Sequence, residues 1–521
     1  MISINRVSNL AISTYYEIFD LACLKSSNIN EITKYNFYHL LSENKTLNEQ
    51  EKEYCKQRFV RNMERNKERD KSGKPMTCEY CNSTRYSERY CVNCIRRFLK
   101  SKFRKWSSGD ITIDKFIQKI QMQASVPPFI LEWIPSDQFK DIKYLTKGGF
   151  SKIYCAKWKR GPIMDWDEEK RGFIYEGTVD VVLKSLNEFN KRFYDEVNNY
   201  FKIKSGNLVK YYGITKLPNS NNYVMVMNYY KEGTLRDYLK SHQSQINLKD
   251  KIYFIYRICF ALYRIHSNNY IHRDLHSANI LLLTNRCLIS DLGLCGPAEN
   301  KLADTMYGVL PYMAPELILN GQYSKASDIY SLGMLMWEIF AEYPPFYDHS
   351  QLYLKYKIIS DIRPPMLSKI PDKFQHMIQK CWDKDVNKRP RIEEIYKTVN
   401  EEFINVYENI ELIQEYENKC VTEFAEIPGL SHPIHYNRST DGMSPTESLI
   451  INAFIINENL NTCYTSSSLR NISENSNEKV LYNVINKTSD GNYLSFSFLL
   501  SIHIIILKLL FLCQKFASIQ S

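Results

Sequence analysis

From Phe139 to about residue 230 the chain reads as short β-rich runs: KYL at 143–145, KIYCAKW at 152–158, DVVLKSL at 180–186, LVKYYGI at 208–214 and YVMVMNYY at 223–230. Each is bounded by Gly, Asn, Pro or charge clusters, which is how strands are punctuated. From Thr234 onward the period lengthens. Leu248, Ile252, Ile255, Cys259, Leu262 and His266 recur at spacings of three and four and share one helix face. A block of strands followed by a block of helices predicts an α+β architecture with two lobes, the first β-rich and the second helical.

The flanks read differently. Residues 1–75 give no assignment, except that 51–74 (EKEYCKQRFVRNMERNKERDKSGK) is dense in mixed charge and reads as a solvated helix or linker. A small cysteine segment with a basic flank occupies 76–105, and 106–138 reads as a linker to the main domain at 139–402. A helical extension follows at 403–437, then a flexible polar region rich in Ser, Thr and Asn at 438–492, then an apolar tail at 493–521. Within that tail, 494–513 (LSFSFLLSIHIIILKLLFLC) is about the ~20 residues that span a bilayer. His503 and Lys508 interrupt it, and a central Lys costs roughly 2.5–3.5 kcal/mol on insertion. A membrane anchor and an ordinary core helix both fit.

Composition narrows the class. The 521 residues are 44% hydrophobic, 24% charged and 13% aromatic, which excludes a wholly disordered or fibrous chain. The net charge is +10, and residues 51–105 hold 17 Lys/Arg against 7 Asp/Glu, so this region carries the whole excess. It is the candidate for an acidic or nucleic-acid partner, Arg85, Arg89, Arg96, Arg97, Lys100, Lys102, Arg104 and Lys105 being interleaved with Tyr86 and Tyr90. A solvated basic surface or a protein-docking face is the commoner use of such a run. The first twenty residues lack a basic start followed by an apolar core, and most of the 14 cysteines are scattered singly. Both features favour a reducing, cytoplasmic setting, with tethering through the apolar tail as the alternative.

The chemistry concentrates in HRDLHSAN at 272–279. Phosphoryl transfer needs a carboxylate to orient an attacking hydroxyl and a second group to help hold a metal on the phosphates; Asp274 and Asn279 offer these. Twelve residues beyond Asn279, after a short apolar strand, Asp291 in ISDLGLC can reach the same metal from the facing side of a hairpin.

On these residues, and on others that follow in the same order, the chain from about 139 to 400 resembles a eukaryotic protein kinase domain, and within it the tyrosine-kinase-like group. The resemblance implies a bilobal kinase fold, ATP with Mg²⁺ (or Mn²⁺) as cofactors, and a protein substrate. It implies that Lys184 in VVLK grips the phosphates and that Glu196 pairs with it. Asp274 would be the catalytic-loop base, and Asn279 and Asp291 the metal ligands, with Leu292 in place of the usual Phe. Glu316 in the Ala-Pro-Glu motif would meet Arg389 in an ion pair, and Asp328 would brace the catalytic loop. The run VMVMNYYKEG resembles the hinge: Met227 would be the gatekeeper, the backbones of Asn228 and Tyr230 would read the adenine edge, and Ile153 with Val182 would sandwich the ring. Phosphate on Thr305 or Tyr307 would pair with Arg273 and order the loop.

Two departures from the family pattern stand out. In the glycine-rich loop LTKGGFSKIY, Thr146 and Ser151 fill two glycine positions, leaving Gly148 with Gly149 beside it to approach the phosphates. His276 stands two residues after Asp274, where Ser/Thr kinases usually carry Lys. Group resemblance favours Ser/Thr acceptors over Tyr. The altered loop keeps open a pseudokinase or docking scaffold as the alternative.

Ahead of this domain, Cys78, Cys81, Cys91 and Cys94 are spaced C-x2-C-x9-C-x2-C. Four thiolates on two knuckles suit a tetrahedral Zn²⁺ that stabilises a segment too small for its own core. A redox pair or chance pairing is the competing reading.

Overall fold

The computed structural model describes residues 8–25, 31–124, 126–127, 129–147, 151–186, 191–203, 205–217, 222–283, 286–297, 308–347, 351–409 and 416. The chain divides into two units, Met1–Glu447 and Ser448–Ser521, and every described residue lies in the first. The expected polar region at 438–492, the apolar tail and the loop residues Gly148, Gly149, Thr305 and Tyr307 therefore fall outside the described residues. No described helix is long and apolar enough to cross a membrane.

The N-terminal region is built, not unassigned. It opens with α1 (Asn9–Leu24), capped by the Ser8 side chain on the Ala11 amide, followed by α2 (Glu31–Glu43) and α3 (Glu49–Asp70), which starts in an Asn48/Glu51 capping box. The stretch read as a solvated helix or linker is a helix over Glu49–Asp70, but one face of it is buried rather than solvated. Tyr54, Cys55, Phe59 and Met63 of α3 are buried in a core shared with Ala11, Tyr15, Ile18 and Ala22 of α1 and Phe37 and Leu41 of α2. Phe37 and Phe59 stack with centroids 4.2 Å apart. Four apolar residues on one stripe suffice to seat a helix whose average is strongly polar.

A two-stranded hairpin, β1 (Met76–Thr77) and β2 (Thr84–Arg85), and helix α4 (Val92–Lys102) form the cysteine segment. The expected linker at 106–138 is also corrected. It contains α5 (Ile111–Gln123), whose Ile113, Ile117 and Ile120 are buried, and a short strand β3 (Glu132–Trp133). Spacings of four and three make one apolar helix face, too brief to stand out among charged neighbours.

The β-rich lobe follows with β4 (Phe139–Lys147), β5 (Ser151–Trp158), a hairpin of β6 (Ile163–Asp167) and β7 (Gly172–Tyr175), then β8 (Val179–Leu186), α6 (Lys191–Ile203), β9 (Tyr211–Lys216) and β10 (Tyr223–Asn228). The main sheet has six strands in the order β3-β9-β10-β8-β5-β4, and only the β3–β9 pair is parallel. Alternation sorts its two faces. Ala156, Trp158, Val181, Leu183, Val224 and Val226 make one buried core. Lys184, its cross-strand partners Ile153 and Met225, and Val182 with its partner Met227 point the other way.

The helical lobe contains α7 (Leu235–Ser241), N-capped by Thr234, and α8 (Leu248–Ser267). Four short strands follow, β11 (Tyr270–Ile271), β12 (Ile280–Leu283), β13 (Arg286–Ile289) and β14 (Gly296–Pro297), with β12 pairing β13 and β11 pairing β14. Next come α9 (Pro315–Asn320), α10 (Lys325–Ala341), α11 (Gln351–Ile359), α12 (Asp372–Cys381) and α13 (Ile392–Glu408). Helix α10 is buried over nearly its whole length and forms the axis of this lobe. Helix α13 carries the chain six residues past 402, and most of the expected extension to 437 lies outside the described residues.

Two arginines of the basic segment meet carboxylates within the chain. Arg89 lies 2.8 Å from Asp165, and Arg85 2.5 Å from Glu168, both carboxylates belonging to the β6–β7 hairpin and its turn. Tyr90 donates to Asp165, and Phe98 of α4 meets Trp166 and Phe173 edge-on at 5.4 and 5.2 Å. On the other lobe, Asp20 of α1 takes the buried Arg257 guanidinium and, at 3.1 Å, the Tyr253 hydroxyl. Removing one partner of a buried pair leaves an uncompensated charge. Asp20→Ala should therefore lower the unfolding free energy by roughly 3–5 kcal/mol in a denaturant titration.

Candidate active site

Lys184 lies on the cleft face of β8, and its ammonium meets Glu196 of α6 at 2.8 and 3.1 Å and Asp291 at 3.3 Å. Burial alone would strip its proton, but the carboxylates of Asp291 and Glu196 outweigh that and raise its pKa, so it stays cationic. Tyr211, on β9, donates its hydroxyl to Glu196 and closes the far side of the pair. Asn199, one turn along α6, donates its side-chain amide to the Cys295 carbonyl at 2.7 Å and ties that helix to the loop after Asp291.

Asp291 has φ +57°, a left-handed conformation that aims its half-exposed carboxylate back into the cleft. Burial pushes its pKa up, Lys184 pulls it down and prevails, and Asp274 pushes it up, which shows that the two acids feel each other. Gly293 explains the small residue after Leu292. A Cβ there would sit 3.2 Å from the Asp291 carboxylate and 3.4 Å from that of Glu196.

The catalytic-loop residues are fixed from beneath. Asp328 of α10 accepts the backbone amides of His272 (2.7 Å) and Arg273 (2.9 Å), and its carboxylate meets His266 at 2.9 Å. This braces a loop in which Arg273 has φ +72°. His272 in turn contacts the Ser290 carbonyl at 3.1 Å, linking the loop to the strand that delivers Asp291. Asn279 donates to the Asp274 carboxylate at 3.0 Å and to its carbonyl at 2.9 Å. Burial opposes ionisation of Asp274, but His276, at 3.4 Å, and the Asn279 bond hold its pKa below the ordinary carboxylate value. Its Oδ1 has no hydrogen-bond partner among the described residues. The His276 imidazole stands 3.4 Å from this oxygen without closing a hydrogen bond, so the oxygen can still receive a donor from outside.

The remaining expected residues fall as follows. Ile153, Val182 and Met227 share the Lys184 face of the sheet. The Asn228 amide donates to the Lys210 carbonyl at 3.1 Å and its side chain accepts from Tyr212; the buried Tyr230 hydroxyl accepts the Lys210 amide at 3.2 Å. Glu316 and Arg389 form a bidentate pair with both bonds at 2.7 Å, away from Lys184 and Asp274. Arg273 is engaged locally, donating to the carbonyls of Leu294 (3.2 Å) and Pro297 (3.0 Å). Sequence reasoning missed Tyr211, Asn199 and His266. Nothing in the sequence distinguishes a strand tyrosine or a helix asparagine from its neighbours, and His266 is legible only as one position of a helical face.

A second cluster lies in the N-terminal region. The sulfurs of Cys78, Cys81, Cys91 and Cys94 are all within 4.8 Å of one another. Cys78–Cys94 and Cys81–Cys91 are separated by 3.6 and 3.5 Å. Zn–S bonds of ~2.3 Å imply tetrahedral S···S edges of ~3.8 Å, so the cage has nearly the size a zinc ion needs. Glu68 of α3 accepts the amides of Tyr86 and Val92 and Glu64 accepts that of Glu88, which fixes the loop between the two cysteine pairs. Burial pushes the thiols of Cys91 and Cys94 up, while at Cys81 burial is outweighed by bonds from Ser83, which pull its thiol down.

This lysine–glutamate pair, loop aspartate and second aspartate beneath a twisted sheet define a protein kinase cleft. A family model described as protein tyrosine and serine/threonine kinase matches residues 139–399, half of the chain, and the chain belongs to that family. It is similar to a probable serine/threonine-protein kinase of Dictyostelium discoideum, 30% identical over 288 residues, covering 52% of this chain and 15% of that protein. It is also 28% identical to the dual specificity protein kinase shkC of the same organism, over 50% of each chain. The human cytoplasmic tyrosine-protein kinase BMX is 26% identical over 60% of this chain and 45% of its own. The chain thus spans at most half the length of these relatives.

Because a Cβ at Gly293 would crowd the Asp291 and Glu196 carboxylates, Gly293→Ala should raise the Kd for Mg²⁺-nucleotide about tenfold, the factor that ~1.4 kcal/mol represents. A nucleotide titration with and without Mg²⁺ measures it.

Proposed function

We propose that this chain is an ATP-dependent protein kinase that phosphorylates protein hydroxyls, Ser/Thr in preference to Tyr, with Lys184, Glu196, Asp274, Asn279 and Asp291 as its working residues. The observation that carries this reading is the closed Lys184–Glu196 pair with Asp291 3.3 Å from the same ammonium. Bound ATP would supply the γ-phosphoryl group, and Mg²⁺ (or Mn²⁺), held by Asn279 and Asp291, would supply neutralising charge. Lys184, kept protonated by its two acids, presents its charge to the phosphates. Asp274 is held too low to take a proton from a resting hydroxyl. It orients the hydroxyl through Oδ1 and accepts the proton as the new bond forms. Ile153, Val182 and Met227 line the adenine side, and Arg389 with Glu316 secures the helical lobe. Tyr230 and Asn228 supply the hinge backbone.

The preference for Ser/Thr rests on the relatives, which include kinases named for each specificity, and on group resemblance around His276. Free thiols at every described cysteine suit a reducing, cytoplasmic setting. The competing reading, a docking scaffold with weak nucleotide affinity, draws on Thr146 and Ser151 in the glycine-rich loop. Asp274→Asn separates the two. Transfer to a mixed protein substrate should fall by about three orders of magnitude or more while nucleotide affinity stays within a few-fold. Equal transfer by the variant removes Asp274 from the chemistry, and phosphoamino-acid analysis of the products reads the hydroxyl class.

The Cys78, Cys81, Cys91 and Cys94 cage would hold one Zn²⁺ as a structural ion, supported by its size and by the buried thiols. Metal analysis of the purified full chain should give one zinc per chain, and Cys81→Ser should lower both the zinc content and the melting temperature. Full stability after exhaustive chelation is the outcome that removes a structural zinc.

A further inference from the structure

The Lys184–Glu196 pair depends on where α6 stands, and α5 packs against the outer face of that helix from outside the family-matched domain. Phe116 of α5 meets Tyr194 of α6 edge-on, with centroids 4.8 Å apart and planes at 84°. Tyr194 and Glu196 are two positions apart, which on a helix turns them about 200° from one another. What presses on Tyr194 from outside therefore bears on Glu196 toward Lys184 inside. Ile113, Ile117 and Ile120 of α5 belong to the same core as Phe193, Val197 and Tyr200 of α6.

Helix α5 is itself secured at both ends. The Asp110 side chain caps it by accepting the Thr112 amide at 2.7 Å. Asp114 takes the Ser108 amide (2.8 Å) and the Ser107 hydroxyl (2.7 Å), and Tyr223 of β10 donates its hydroxyl to the Ser108 carbonyl at 3.1 Å. At the other end, Arg96 of α4 donates to the Ala124 carbonyl at 2.9 Å, and Gln121 donates to the Leu131 carbonyl, next to β3, at 2.7 Å. One helix is thereby fixed to the cysteine segment, to the sheet at β10 and beside β3, and to Tyr194 of α6.

We propose that α5 is the positioning element for α6, with Phe116 acting through Tyr194 to keep Glu196 within reach of Lys184. Phosphotransfer then depends on residues outside 139–399, a consequence that rests on the kinase reading above. Phe116 is a positioning residue, since it touches neither substrate nor cofactor residues.

The test uses the full chain with Phe116→Ala, Phe116→Tyr, Tyr194→Ala and the Phe116→Ala/Tyr194→Ala double variant. Two readouts are taken: amide hydrogen exchange over 193–203 against α10, and kcat with KM for ATP on a mixed protein substrate. Phe116→Ala should speed exchange in α6 with α10 unchanged and lower kcat about tenfold, the order expected when an aromatic contact biases a two-state helix. Phe116→Tyr, which keeps the ring, should restore both. The double variant should be no worse than the worse single, because both act through one contact. Asp20→Ala, destabilised elsewhere, controls for global loss of stability and should leave kcat of the folded protein unchanged. Unaltered α6 exchange, faster exchange with unaltered kcat, or additive losses overturn the proposal. If the unmutated chain transfers no phosphate, the kinase reading fails, and α6 exchange alone decides whether α5 positions the helix.

Discussion

A lysine and a glutamate, both taken out of water, have to find each other at the seam between a sheet and a helix. Each ion loses several kcal/mol of hydration when buried, and the loss is offset only when partner and geometry are right. Lys184 and Glu196 meet that condition with two short contacts, a tyrosine hydroxyl behind the glutamate and Asp291 on the open side. The strand register that faces Lys184 into the cleft, the placement of α6 and the left-handed turn at Asp291 all follow from it. Were α6 to withdraw, Glu196 would leave with it and Lys184 would be left to Asp291 alone.

The helical lobe solves a matching problem with hydrogen bonds. A loop that turns through φ +72° at Arg273 exposes backbone amides, and Asp328 collects two of them from a helix that is itself almost wholly buried. The strain is local and its support is rigid, so Asp274 inherits a fixed orientation. His276 and Asn279 then hold its carboxyl ionised, while Asp291 shares the Lys184 ammonium with Glu196. Position and ionisation are thus supplied by different elements.

Much of this was legible in order and spacing. Lys184, Glu196, Asp274, Asn279 and Asp291 stood out by motif and order, and the structure brings Lys184 to Glu196 and Asp291 and Asn279 to Asp274. Residues that serve by contact alone were not legible. Tyr211 reads as one more aromatic in a strand, and Asn199 as one more polar position on a helix, until the fold brings them to Glu196 and to the loop after Asp291. The same holds for α5, whose three buried isoleucines look like a linker until the fold places them in the main core, and for α3, whose charge masks a buried stripe. The excess of Lys and Arg before residue 105 suggested an outside acidic partner. Part of it is answered by Asp165 and Glu168, some seventy to eighty residues further along, and sequence distance hid the match.

The β6–β7 hairpin shows that family likeness and folding unit do not share an edge. Trp166 and Phe173 sit inside the stretch that resembles other kinases, yet the ring they rest on, Phe98, lies forty-one positions ahead of it. A protein trimmed to begin at Phe139 would bare that indole and phenyl pair together with an orphaned aspartate. Its surface would turn sticky at the very place where the parent is sealed, so a laboratory cutting by homology would isolate the catalytic machinery and lose the shell that keeps it soluble.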